Sequence, residues 1–496
     1  MSDFALEAKN LTFRYLEQNK KNVLQGVNIR FRAGKITVLM GSSGCGKSTL
    51  AALLAGLYPE NGGVAVSGGI RLFDRPLEEY SIPERARSLS MMFQNPDLQF
   101  CMETLRKELF FCLGNLSCPT GQMEARVLDA AQKTGMSEYL DRSFCTLSGG
   151  EKQKAALSCI FLLGSRVILL DEPFANIDEK WAKAICEMLK RMNRELGTTL
   201  IVIDHALDYW LDCLDEIQVL SADGSVTAGI TRENLPDYRD LFESQGLRWP
   251  YERTERRFSD QPVKTPALVL ENLSVWAGKK KHKGPQVLRG ADAVFGKHEM
   301  TAVLGPSGCG KTTLFRTLLA QQAYSGSVLI DGEELGSIRP KELFSKIGIV
   351  FQNPANQFVT QNVLEEVECG LVGRLVKRQE LEGTETEQKA IELLGEFHLS
   401  RFRRYSPYML SQGQQRRLAV LSILAGTQKI LLLDEPTYGQ DDAMTRQIME
   451  LLRCRMERDG LTVLFSSHDM RLVRNWADRV YVFSEGGLRC AGNGML

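Results

Sequence analysis

Two glycine loops carry the residue types needed to hold a phosphate group: Gly41-Ser42-Ser43-Gly44-Cys45-Gly46-Lys47-Ser48-Thr49 and Gly305-Pro306-Ser307-Gly308-Cys309-Gly310-Lys311-Thr312-Thr313. Glycines let a backbone wrap closely and aim successive N–H groups at phosphate oxygens. A helix starting at the loop's end adds its positive terminus. In the pattern GxxxxGK[ST], the lysines Lys47 and Lys311 neutralise the β- and γ-phosphates, while Ser48 and Thr312 offer a hydroxyl to Mg2+. Two acidic pairs, Asp171-Glu172 and Asp434-Glu435, each close an apolar run. An aspartate at a buried strand end can hold Mg2+, and a glutamate one residue later is placed to orient or deprotonate a water. One such pair could be chance; the same pair twice is much harder to dismiss.

The spacing ties these groups together. Lys47 and Lys311 are 264 residues apart, the acidic pairs 263, and His205 and His468 again 263. A repeat this regular means one nucleotide-binding domain written twice. The length of 496 residues agrees, since single cores stop growing beyond about 250–300 residues. Apolar residues make up 43% and charged residues 25%, the balance of a globular protein. The 61 basic and 61 acidic residues cancel, so no nucleic acid is expected as an obligatory partner. No stretch reaches the roughly 18–20 apolar residues of a membrane span. Ala155 to Leu170 comes nearest, but Ser158, Gly164, Ser165 and Arg166 interrupt it, and it reads as a buried helix followed by a buried strand. The N-terminus has no basic-then-apolar order and is not expected to be a secretory signal. The twelve cysteines form no CxxC pair and are expected as free thiols in a reducing cytosol. Cys45 and Cys309, at matched places in the loops, read as small residues that fit.

Each half repeats one order of elements. A strand (Ile36 to Met40; Thr301 to Leu304) enters the glycine loop, and a helix follows, with Leu50, Leu53, Leu54 and Leu57 spaced to face a core. Glycine-punctuated strands come next, near Gly62–Gly69 and Gly326–Gly332. A polar, helix-like region separates Gln94 from Ser148 and Gln352 from Ser411, before a strand ends in the acidic pair. Strands alternating with helices imply an α/β domain whose sheet is mainly parallel and covered on both faces. The expected domains are 1–238 and 267–496, joined by an irregular charged linker, 239–266, holding Pro250, Pro262 and Pro266. The basic run Lys279-Lys-Lys-His-Lys283 has no counterpart in the first half; a solvated loop tip is favoured over a binder of acidic lipid or nucleic acid.

Leu147-Ser148-Gly149-Gly150-Glu151 and Leu410-Ser411-Gln412-Gly413-Gln414 each open a helix with a capping box. Their glycines also leave backbone N–H groups open to an anion. The glycine loop, Gln94 and Gln352, these LSGG-type turns, the acidic pairs and the downstream histidines occur twice in one order. Together they resemble ATP-binding cassette (ABC) proteins over nearly the whole chain. The resemblance implies two P-loop NTPase domains, each with a mainly parallel core sheet, an antiparallel β subdomain and a helical subdomain. It implies ATP and Mg2+ as cofactors, and two halves that pair head to tail. One site would then combine Lys47, Ser48, Gln94, Asp171, Glu172 and His205 with Ser411 and Gly413. The other would combine Lys311, Thr312, Gln352, Asp434, Glu435 and His468 with Ser148, Gly149 and Gly150. Gln94, Gln352, Ser48, Thr312, Asp171 and Asp434 would serve the metal, and the histidines the γ-phosphate. Asp178 and Asp441 match the family's D-loop aspartate. Tyr15 fits the aromatic residue that stacks on adenine; in the second half Trp276 is the nearest candidate, one residue early.

Phe93-Gln-Asn-Pro-Asp-Leu-Gln-Phe100 and Phe351-Gln-Asn-Pro-Ala-Asn-Gln-Phe358 look like the QNPxxQF motif of energy-coupling-factor importers of vitamins or transition-metal ions. Asn-Pro also marks a plain turn, and the two readings are compatible. This resemblance implies an ATPase peripheral to the inner face of the cell membrane, with a transmembrane scaffold subunit and a substrate-binding membrane subunit as partners. Three other classes compete with this reading. Sugar-importer ATPases of this length usually have a degenerate second loop, intact here. Tandem-cassette translation factors reach the ribosome through a long basic helical linker, unlike the short mixed one here. ATPases of DNA maintenance carry long heptad runs, which are not visible. Gln412 stands where the first half has Gly149, and an unequal rate at the two sites is the expectation drawn from it.

Overall fold

The computed structural model describes residues 3–15, 22–42, 44–58, 62–174, 179–251, 258–259, 261–277, 284–306, 308–375, 378–436, 442–484 and 486–491. Ser43, Ser307, Asp178, Asp441 and the run Lys279–Lys283 lie outside the described residues. The chain divides into two compact units, Met1–Glu252 and Arg253–Gln440 with Met444–Leu496.

In the first unit, Ile36–Met40, Val167–Asp171 and Thr199–Ile203 are apolar runs buried along their full length. Strands of this kind belong inside a sheet covered on both faces. Ile36–Met40 lies between Thr199–Ile203 and Glu216–Leu220, parallel to both. Val167–Asp171 and Leu89–Met92 extend the parallel order on one side, and Val226–Ile230 closes the other as an antiparallel edge. A second, antiparallel sheet is built from Leu24–Arg32, Phe4–Tyr15, Gly63–Leu72 and Arg75–Pro76. Leu24–Arg32 alternates buried and exposed, as a strand with one wet face should. The helix Lys47–Leu54 buries Leu50, Leu53 and Leu54 in a core shared with Leu6, Phe13, Leu169 and Ile201, so the glycine loop stands on packed side chains from both sheets. Leu57 falls beyond the helix, which stops before Gly56 (φ +73°). A separate helical region, Leu105–Asn115, Thr120–Lys133 and Gly149–Leu163, closes over Leu109, Leu113, Val127 and Ala155.

The second unit repeats the plan. Its six-stranded sheet runs Ile347–Val350, Ile430–Asp434, Thr462–Ser467, Met300–Leu304, Arg479–Ser484 and Gly487–Cys490, the same strand order. Its antiparallel sheet is Gln286–Gly296, Pro266–Trp276, Tyr324–Ile330 and Glu333–Glu334. Val363–Val372, Glu385–Glu396 and Gln412–Leu424 form the helical region.

The expected linker needs correction at both ends. Residues from 239 onward form the helix Arg239–Ser244, whose Phe242 is fully buried in the first unit's core with Leu247. Its charges, Arg239, Asp240 and Glu243, lie on the exposed side. A charged composition hid an amphipathic turn anchored by one aromatic residue. Phe258 packs into the second unit's core, and Gln261 accepts a hydrogen bond at its carbonyl from Arg479.

Candidate active site

Each glycine loop is shaped by backbone that other residues resist. Gly46 and Gly310 cap the helices Lys47–Leu54 and Lys311–Leu318 at φ +104° and +117°. A Cβ on Gly41 would come within 2.4 Å of the Leu220 carbonyl oxygen and 2.8 Å of Cys45 Sγ. Cys45 thus turns back beneath the loop, consistent with a small residue that fits. The lysine ammonium groups are buried and donate to loop carbonyls. Lys47 Nζ reaches Gly41 O at 2.6 Å and Ser42 O at 3.0 Å, and Lys311 Nζ reaches Gly305 O at 2.7 Å and Pro306 O at 3.2 Å. An ammonium clasped to its own loop is held where a triphosphate oxygen would be its stronger, charged acceptor. Tyr15, the last residue of its strand, shares a hydrogen bond with Thr49 Oγ1 at 2.8 Å and packs edge-on against Phe13 and Tyr58. Burial pushes its phenol up to about 12. Trp276 ends the corresponding strand of the second unit and is itself buried.

The aspartates sit where expected, as the last residues of buried strands. Thr312 Oγ1 donates to Asp434 Oδ2 at 2.6 Å, and Ser466 Oγ donates to Asp434 Oδ1 at 2.6 Å. In the first unit Ser48 bonds the Asp171 carboxyl, but Asp171 Oδ1 is buried with no hydrogen-bond partner. The cause is the strand alongside: Asp434 pairs in register with Ser466, whereas Asp171 pairs with Ile203. Burial and the adjacent Glu172 charge push Asp171 up to about 7; burial raises Asp434 also. An orphaned carboxylate oxygen next to a serine hydroxyl and the Gln94 segment is the oxygen-rich donor set that suits Mg2+. Among the described residues no cluster of three His, Cys, Asp or Glu side chains could hold a metal.

Glu172 and Glu435 follow at φ +50° and +53°, a left-handed conformation that costs a non-glycine residue about 1–3 kcal/mol. Such strain, present at the same place twice, aims the carboxylate away from the strand's own direction. Glu172 Oε1 lies 2.8 Å from His205 Nε2, and Gln94 Nε2 donates to Glu172 Oε2 at 2.9 Å. Burial alone would push Glu172 up, but His205, Lys47 and Gln94 together hold it below the usual range. Burial pushes His205 down, but the neighbouring Glu172 carboxylate outweighs it and raises it above the usual range. In the second unit His468 reaches Glu435 Oε2 through Nδ1 at 3.0 Å, and Lys311 Nζ lies 3.7 Å from Glu435 Oε1. Gln352 is exposed there, and its carbonyl accepts from Arg416.

The QNPxxQF segments have a full structural account. Asn95 and Asn353 cap the short turns Pro96–Leu98 and Pro354–Asn356. Gln99 and Gln357 accept from the amides of Phe93 and Phe351, closing the loop on itself. Phe100 stacks on Phe144 with ring centroids 3.9 Å apart. Ser148 and Ser411 form complete capping boxes with Glu151 and Gln414, starting helices of the helical regions, and these bonds stay within the turn. Ser466 and Arg416 belong to none of the motifs singled out in the sequence. A serine pair, Ser466-Ser467, closing a buried strand with the apolar run Val463–Phe465 is the available signal for the first.

The family described as ABC transporter matches this sequence twice, over residues 24–175 and 288–438. The chain belongs to that family. Each unit is an ABC cassette, and the whole is an ATP-binding, ATP-hydrolysing protein with two cassettes in tandem. A Bacillus subtilis (strain 168) protein named "Putative HMP/thiamine import ATP-binding protein YkoD" is 34% identical, covering 99% of this chain and 92% of that protein. A Methanosarcina mazei protein named "Putative ABC transporter ATP-binding protein" is 30% identical over 98% of this chain and 88% of its own. Among solved structures, the archaeal ribosome recycling factor aABCE1, in complex with the ribosomal stalk protein aP1, matches 98% of this chain and 90% of its own with a TM-score of 0.64. At 19% identity that likeness bears on the fold alone.

Proposed function

We propose that this tandem cassette is the ATP-hydrolysing subunit of an importer of the energy-coupling-factor type, moving a vitamin or a transition-metal ion. The observation that carries this reading is two intact cassettes, each with a QNPxxQF loop, in a chain 34% identical to a protein named for HMP/thiamine import. That relative's name favours a vitamin-like cargo. None of the described helices is long and apolar enough to cross a membrane, so the path would belong to other chains: a transmembrane scaffold and a substrate-binding membrane subunit. Leu98 (76% exposed) and Val359 (65%) stand beside the two glutamine segments and suit contact with a scaffold loop. The protein would sit in the cytoplasm, against the inner face of the membrane. The cassettes would be 1–238 and 267–496 in outline, with the first extended by the helix Arg239–Ser244.

In this reading the cassettes pair head to tail, so that Ser411 and Gly413 complete the Lys47 site, and Ser148, Gly149 and Gly150 complete the Lys311 site. Ser48 with Asp171, and Thr312 with Asp434, would hold Mg2+ together with the glutamines, Gln94 being already turned into its site. Bound Mg2+ offsets charge on the β- and γ-phosphate oxygens. Lys47 and Lys311 orient the γ-phosphate, while Glu172 and Glu435 take the proton of the attacking water, steadied by His205 and His468. The test is affinity isolation from solubilised membranes and, in parallel, from ribosome fractions. Recovery with a small hydrophobic scaffold and a substrate-binding membrane protein is expected; recovery with ribosomes would replace this reading by a translation-factor role.

A further inference from the structure

Arg416 lies on the helix Gln412–Leu424 and is only 2% exposed. Burying a guanidinium is costly unless its N–H groups are met. Here the acceptors are backbone carbonyls of two separate segments. Nη1 donates to Phe351 O at 3.0 Å and to Asp434 O at 3.3 Å, and Nη2 donates to Gln352 O. The last two acceptors belong to the residues placed around the metal in the second cassette. One rigid, planar fork therefore joins the main chain of the glutamine loop to the end of the acidic strand. The Asp434 carbonyl is also part of the peptide that leads into Glu435, with its left-handed φ of +53°. The matched position in the first cassette, 263 residues earlier, is Gln153. It is just as buried but carries a neutral amide with a single donor nitrogen.

We infer that Arg416 is a positioning residue that fixes the Gln352 loop against Asp434, and so sets the Mg2+ affinity of the second site alone. The inference rests on the metal assignment under Proposed function. It goes further in giving the two cassettes different metal dependence through a side chain that touches neither nucleotide nor metal. Arg416 acts on main chain, so its loss leaves Lys311, Thr312 and the glycine loop chemically intact. What it removes is the fixed distance between the main chain of the glutamine loop and the end of the acidic strand.

The test uses the full chain carrying Glu172→Gln, which silences hydrolysis at the Lys47 site, with and without Arg416→Gln or Arg416→Lys. Three quantities are read: the Mg2+ concentration giving half-maximal ATP turnover, Mn2+ binding in the presence of a non-hydrolysable ATP analogue, and binding of a fluorescent ATP analogue in EDTA. Groups that orient metal ligands typically change metal affinity about 10–100-fold when lost. A weakening of Mg2+ and Mn2+ dependence by about tenfold or more is expected in Arg416→Gln, with metal-free nucleotide binding unchanged. Arg416→Lys keeps the charge but not the fork and should fall between. Unchanged Mg2+ half-saturation in Arg416→Gln overturns the inference. So does a parallel loss of nucleotide binding in EDTA, which would mark general loosening. If Arg416→Gln does not fold, Arg416→Lys decides: half-saturation equal to the parent overturns the inference, a clear rise supports it. A parent that ignores Mg2+ altogether would overturn the metal assignment itself.

Discussion

Under the proposed roles, replacing Glu172 or Glu435 by Gln would remove the base from one cassette and leave its shape intact, since glutamine is isosteric and can keep the left-handed φ already present at both positions. Loss of a positioned general base costs about 10²–10⁴-fold in rate, or roughly 3–5 kcal/mol at 1.36 kcal/mol per tenfold. The double variant should therefore retain less than about 1% of turnover. The single variants report how the sites divide the work. In the first cassette the Glu172 carboxylate is held from two sides, by His205 Nε2 and Gln94 Nε2. In the second, Glu435 meets His468 through Nδ1 and stands 3.7 Å from Lys311. The signature turns differ too, Gly149 against Gln412. Steady-state phosphate release at saturating ATP and Mg2+ should therefore differ between Glu172→Gln and Glu435→Gln by more than about twofold, a gap of only about 0.4 kcal/mol. Equal losses would refute the asymmetry. A double variant keeping a tenth of the activity would refute the base assignment.

Other consequences can be checked separately. Gly310→Ala should abolish fluorescent ATP-analogue binding at the Lys311 loop, because its Cβ would lie 1.9 Å from Val287 Cγ1. Gly308→Ala meets nothing within 4 Å and should show only the left-handed penalty of about 1–2 kcal/mol; equal effects would contradict the loop geometry. Phe242→Ala should destabilise the first unit by about 3–5 kcal/mol in urea unfolding, and a change below about 1 kcal/mol would return residues 239–251 to linker status. In a Glu172→Gln background, Ser148→Ala should cut the remaining turnover well beyond its capping loss of about 1 kcal/mol, while Ser411→Ala should not. The reverse pattern would break the head-to-tail assignment.

Most of the frame was legible because it rests on local patterns. Continuous apolar runs announced the central strands, and the capping boxes at Ser148 and Ser411 formed as their spacing implied. The start of the linker departs from expectation because its charged composition masks a helical period: one aromatic residue, Phe242, anchors a largely polar turn. The environment of the carboxylates was not legible for a different reason. It depends on which residue lies alongside in the neighbouring strand, and register is a tertiary fact. Nothing near Asp171 in the sequence says that Ile203 will stand where the other cassette places Ser466.

That strand-to-strand difference shows how the copies diverge. The groups assigned to the nucleotide under Proposed function are the same in kind in both: lysine, hydroxyl, aspartate, glutamate, histidine. The groups that hold the carboxylates are not. Ser466 donates to Asp434 Oδ1 and accepts from the Glu435 amide, whereas Glu172's amide donates to the Ile203 carbonyl and Asp171 Oδ1 is left without a partner. Such a supporting hydrogen bond is worth about 1.5–3 kcal/mol when a charged group takes part, enough for a difference of about tenfold or more in metal or water affinity without altering the reaction. Exchanging the supports tests this directly. Ile203→Ser should give Asp171 a donor and bring the first site's Mg2+ dependence toward that of the second, and Ser466→Ala should move the second toward the first. If the two exchanges leave both Mg2+ profiles where they were, the carboxylates are positioned by the strand backbone alone.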